Sequence, residues 1–141
     1  MAITQTMCTS FKKELLEGVH NFKASGGHTF KIALYTSSAT LGADTTIYST
    51  VGEVSGTAYT AGGFTLTNKS PEKSGTTGLC SFAGAYWNSS SITARGALIY
   101  NTSQGNKAVI TLDFETDKTS NPDFRIDFPA ETATGALIRV V

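Results

Sequence analysis

Charge is what this chain has least of. Charged residues make up only 16% of it, against roughly a quarter in a typical globular protein. The 11 Lys and Arg are matched by 11 Asp and Glu, and neither sign clusters: the densest basic spot, Lys12-Lys13, is followed at once by Glu14 and Glu17. Nucleic-acid binders carry a basic excess or stripe because phosphate contacts supply most of their affinity, so the balance argues against that class. There are only two cysteines, Cys8 and Cys80. Two thiols cannot make a zinc site alone, and neither lies in a CxxC. They are expected as two separate, buried, reduced thiols, with a disulfide as the alternative. No apolar run approaches the ~18–20 residues of a membrane-spanning helix. Residues 1–6 lack the basic region and apolar stretch of a signal peptide, so the chain is expected to be made and assembled in a cytoplasm.

The motifs of catalysis are also missing. A nucleophilic triad needs a base, and the only histidines are His20 and His28. Both are read as surface or boundary residues. No GxSxG elbow surrounds a serine, and neither Gly26-Gly27 nor Gly62-Gly63 forms a phosphate loop. Asp113, Glu115 and Asp117 alternate like the start of a calcium loop, but Lys118 stands where that loop needs glycine. The same acids fit the end of a strand with one wet face. No residue is assigned to catalysis, a cofactor or a metal. Asn68-Lys69-Ser70, Asn88-Ser89-Ser90 and Asn101-Thr102-Ser103 match the glycosylation triplet, as chance allows in a chain that is about a quarter Ser and Thr.

What is present is enough for one folded domain, taken as residues 1–141: hydrophobic residues are 40% and aromatics 10%, unlike a disordered chain. Phe11, Leu15, Leu16, Val19 and Phe22 recur near the helical period, predicting one N-terminal helix over 9–22 with Thr9 or Ser10 as its cap. Gly18 weakens it. After Ser25-Gly26-Gly27 the period becomes two. Alternation predicts strands over 29–36, 64–67, 79–82, 86–87, 92–100, 107–114, 124–128 and 136–141, with a turn-rich break at 71–78 and a hairpin loop at 101–106. The fold class that follows is mainly β: a β-sandwich, jelly-roll-like, with one N-terminal helix.

Residues 36–62 stand apart. They are rich in Ser, Thr, Gly and Ala and long for a loop in a compact domain. They either hold short strands or form an excursion that orders on a partner. Tyr48 and Tyr59 are their aromatic anchors. With Phe64 and Trp87 they make up the candidate protein-interface set. Tyr86 and Trp87 are neighbours on a strand, so one faces the core and the other can offer an exposed ring.

Several blocks resemble a widespread family of small virion proteins of tailed bacteriophages. They are Phe11-Lys12-Lys13-Glu14-Leu15-Leu16-Glu17-Gly18-Val19-His20, Phe30-Lys31-Ile32-Ala33-Leu34-Tyr35-Thr36-Ser37-Ser38-Ala39, Tyr48-Ser49-Thr50 and Glu53-Val54-Ser55-Gly56-Thr57-Ala58-Tyr59-Thr60-Ala61-Gly62-Gly63. Further along come Ile92-Thr93-Ala94-Arg95-Gly96-Ala97-Leu98-Ile99-Tyr100-Asn101, Asn106-Lys107-Ala108-Val109 and Leu112-Asp113-Phe114. Ala58 stands where the family pattern has glycine, and 71–77 is variable. The resemblance implies a non-enzymatic structural protein of the virion, similar to capsid cement or decoration proteins. Its partners would be the major capsid protein or other virion proteins, its own copies would pair or form trimers, and assembly would take place in the bacterial host cytoplasm. Neither nucleic acid nor membrane is expected as a partner. The competing readings are a host-recognition or adhesion module of a tail or head fibre and, from the enzyme class, a small carbohydrate-active domain.

Overall fold

The computed structural model describes residues 2–140. Among these residues the fold is mainly β with a single α-helix and ten strands in several antiparallel sheets. The central sheet has the order β1-β8-β7-β2-β3, formed by Thr6–Met7, Lys107–Thr119, Thr93–Asn101, Phe30–Tyr35 and Phe64–Thr65. Asn68–Ser74 (β4), Thr77–Phe82 (β5) and Ile138–Val140 (β10) form a second sheet in the order β10-β5-β4. Ala85–Trp87 (β6) pairs with Phe124–Ile126 (β9) in a third.

The central sheet is buried on both faces. On β2, Phe30, Ile32 and Leu34 look one way, and their partners Ile99 and Ala97 on β7 look the same way. This face meets the smaller sheets. Phe30 lies 5.6 Å from Phe82 of β5, and Phe64 lies 5.6 Å from Trp87 of β6. Phe114 of β8 reaches Phe124 of β9 at 6.2 Å. The opposite face carries Ala33, Tyr35, Leu98 and Tyr100, all buried, and residues 36–63 cover it.

The helix, α1, spans Thr9–Leu16, not 9–22. Its N-cap is Cys8, which makes no side-chain capping bond, so neither Thr9 nor Ser10 has that role. Gly18 is the reason for the early stop. It takes φ 74° and donates to the Leu15 carbonyl, while Val19 donates to Glu14 at 2.9 Å. This is a Schellman close. A residue that would weaken a longer helix instead ends a short one. The stripe therefore divides: Phe11 is buried, Leu15 is half-buried, Leu16 is 90% exposed, and Phe22 reaches the core from the following loop.

The segment 71–78 is not a break. Pro71 lies inside β4, an edge strand, where its missing N–H removes no ladder bond. The β4–β5 register shifts between Lys69 and Glu72. β8 runs past 114 to Thr119, and Asp113 Oδ1 there accepts the Glu115 N–H at 2.8 Å and Arg95 Nε at 3.2 Å. Gly105 takes positive φ in the 101–106 loop, as the hairpin pattern requires. The end of the last predicted strand, Val141, lies outside the described residues.

Candidate functional site

Residues 36–63 are neither strands nor a free loop. They are stitched to the domain at three places. Leu41 pairs with Ile3 of the N-terminal arm, Ile47 with Lys107, and Glu53 with Tyr35. Backbone bonds reinforce each: Leu41 to Ala2, Tyr48 to Asn106 and Val54 to Leu34, each 3.0 Å. Small residues permit close approach, but to the chain's own sheet. A Cβ on Gly63 would run into the Ile32 carbonyl.

Glu53 holds the segment together from inside. One carboxylate oxygen accepts the Tyr48 hydroxyl at 2.6 Å. The other accepts the Tyr59 hydroxyl at 2.5 Å and the Gly62 N–H at 2.8 Å. Tyr48 stacks on Tyr100 at 4.6 Å, and the Tyr100 hydroxyl donates to the Gly62 carbonyl at 2.6 Å. Tyr59 also accepts the Leu34 N–H at 3.0 Å. A carboxylate bonded to two phenols and one amide has its charge well shared. Burial pushes the phenols of Tyr48 and Tyr59 well above their ordinary range, and their bonds to Glu53 add to the effect. Tyr100 is pushed up to about 12 by burial first and the Glu53 charge second. These tyrosines stay protonated donors at any physiological pH.

Three of the four candidate interface residues form one aromatic cluster. Trp87 contacts Tyr59 at 6.0 Å, Phe64 at 5.6 Å and Phe124 at 5.9 Å. Tyr48 joins them through Glu53. Trp87 itself is only 5% exposed, whereas Tyr48, Tyr59 and Phe64 are half-buried. The exposed ring of the pair is Tyr86, at 40%, with the Arg125 guanidinium 4.8 Å from its centroid.

The outer surface of the segment is mostly Ser, Thr and other small residues, with two large apolar side chains among them. Ile47 is 54% exposed and Val51 is 78% exposed. Between them lies a shallow groove of about 220 Å³ whose apolar lining includes Tyr35, Leu41 and Leu98. Sequence reasoning found the two tyrosines because large side chains are rare in this stretch. It did not find Glu53, Ile47 or Val51 as site residues. A lone acid in a loop gives no local sign of three distant partners.

The other chemistry-bearing groups are elsewhere. His20 is buried, with no side-chain exposure, and is not a surface residue. His28 is half-buried, and both imidazoles contact Asn101. Cys8 and Cys80 are free, separate and buried. Burial pushes each thiol up to about 11, with a smaller contribution from Glu14 at Cys8 and from Glu131 at Cys80. Among the described residues, no group of three or more His, Cys, Asp or Glu is placed to hold a metal ion. No helix among them is long and apolar enough to cross a membrane.

Comparison with known protein families, characterised proteins and solved structures finds no match to this chain.

Proposed function

We propose that this protein is a structural component of a tailed-phage virion, a cement or decoration protein that binds the outer face of the assembled head. The observation that carries the reading is the platform at 36–63: a long segment fastened from within by Glu53, with Ile47 and Val51 turned outward. A surface segment of this kind is commonly flexible and polar. Here the backbone is already ordered, so docking costs little conformational entropy. The sparse, balanced charge also suits dense packing of many copies. The sequence resemblance favours a partner in the capsid, and many modest contacts around a shell would stabilise by avidity.

The test compares purified shells with and without the protein for resistance to heat and mechanical stress. Shells carrying it should resist more, and the protein should sit on them in a fixed ratio. Equal resistance, together with specific binding to host-cell glycans, would reject the cement role and favour a fibre-borne recognition module. Sedimentation of the free protein tests for the expected dimer or trimer.

A further inference from the structure

Asn101, fully buried at the end of β7, joins the two histidines. Its Nδ2 lies 2.9 Å from Nδ1 of His20 and 3.0 Å from Nδ1 of His28, while its Oδ1 accepts the Ser103 N–H at 3.0 Å. An amide nitrogen has two hydrogens, and each imidazole takes one. Both Nδ1 atoms are therefore unprotonated acceptors. Turning the amide over does not help, because the Ser103 N–H would then face another donor. His28 Nδ1 also takes the Asn21 N–H at 3.1 Å. On the far side of His20, Nε2–H donates to Glu14 Oε1 at 2.9 Å. The His20 ring has no exposure and sits among Phe11, Phe22 and Phe30.

This cluster ties an irregular stretch to β7, beside the core contacts of Phe22 and the bonds from Asn68 and Ser70. Residues 17–29 contain no helix or strand. They close on themselves through His28 N–H to the Asn21 carbonyl, and Asn68 Nδ2 ties down the carbonyls of Lys23 and His28. The same stretch forms one wall of a cleft of about 460 Å³ whose opposite wall includes Leu79, Cys80 and Ile138.

We propose that His20, Asn101 and His28 form an acid-sensitive latch: a solvent proton taken up on Nδ1 of His20 sets N–H against N–H at Asn101, and residues 17–29 come away from β7. The proton adds to the Nδ1 lone pair, and no covalent bond breaks. The charged and titratable groups facing His20 are Glu14 from α1, His28 from its own segment and Lys107 from β8. Glu14 favours the imidazolium. Burial opposes it more strongly, with His28 and Lys107 adding to the opposition, and holds His20 below the ordinary histidine range. The sign follows. Below about pH 6.5 the released state binds more protons than the latched one, so the latch is complete above that pH and weakens as pH falls.

The test uses the whole protein, labelled with ¹⁵N. At pH 7.5, His20 should carry its proton on Nε2 and show an unprotonated Nδ1. Hydrogen exchange at the Asn21 and His28 amides should then report opening that rises by up to about tenfold per pH unit below pH 6.5, while Ile32 and Ile99 stay protected. His20→Gln keeps an acceptor for Asn101 and a donor for Glu14 but does not titrate, so its opening should rise less steeply as pH falls than in the natural protein. Flat opening in the natural protein, or an unchanged pH dependence in His20→Gln, overturns the latch. If His20→Gln does not fold, the tautomer decides, because a proton on Nδ1 at pH 7.5 contradicts the network.

Discussion

Glu53 is the residue on which the 36–63 platform depends. Its carboxylate accepts from Tyr48, Tyr59 and Gly62, and hydrogen bonds to charged groups contribute more than neutral ones. Because the two phenols are only partly buried, water can replace some of the loss. Glu53→Ala should therefore destabilise by about 2–4 kcal/mol in urea melts, with the loss of protection centred on 36–63. Ala58 makes a second, opposite case. It is exposed and takes φ 68°. A non-glycine residue in the left-handed region costs about 1–2 kcal/mol, while glycine adds about 0.4–1 kcal/mol of unfolded-state entropy. The strain term is the larger, so Ala58→Gly should raise stability, by up to about 1.6 kcal/mol from the same terms, read as a higher urea midpoint. Glu53 was not legible in the sequence, because its partners lie 5, 6 and 9 residues away in an irregular turn, and no helical or strand period encodes such spacing.

At the scale of elements, alternation locates most strands because their largest apolar side chains recur at every second position, even in β2, which is buried on both faces. Phe30, Ile32 and Leu34 announced β2, and Ala108 and Ile110 announced β8. The errors fall where the period carries no information. β4 has no buried residue, so its sequence reads as a turn. The helical spacing continues through Val19 and Phe22, although Gly18 has already turned the chain. Phe22 then reaches the same core from a loop, stacking on Phe30 at 4.5 Å. The shorter helix gives a sharp contrast between neighbours on the original stripe. Phe11 has no exposure and packs on His20 and Phe22, so Phe11→Ala should cost about 3–5 kcal/mol. Leu16 is 90% exposed, so Leu16→Ala should stay within about 0.5 kcal/mol. Thermal melts of the two variants check both values. A large loss at Leu16 would mean that its side chain is covered in the free protein, by a second copy for example.

At the scale of the whole molecule, the proposed role rests on a surface and not on a reaction, so it must be tested by separating binding from folding. Ile47 and Val51 are suited to that. Both are exposed on the outer side of the platform, and neither takes part in the Glu53 network that holds the inner side. Replacing an exposed apolar residue with a charged one usually changes stability by no more than about 0.5 kcal/mol. The same charge placed in a docked interface loses its water and finds no partner, which costs far more. The double change Ile47→Asp with Val51→Asp should therefore leave the melt of the free protein nearly unmoved while lowering occupancy on capsid shells at least about tenfold, a shift of about 1.4 kcal/mol. Salt dependence is the companion measurement. With 11 positive and 11 negative side chains and no cluster of either sign, an apolar contact should hold across a range of ionic strength that would strip a phosphate-driven one. Shell occupancy that falls steeply with salt, or that survives both aspartates, would move the binding surface away from 36–63 and toward the charged rim around Arg125 and Asp127.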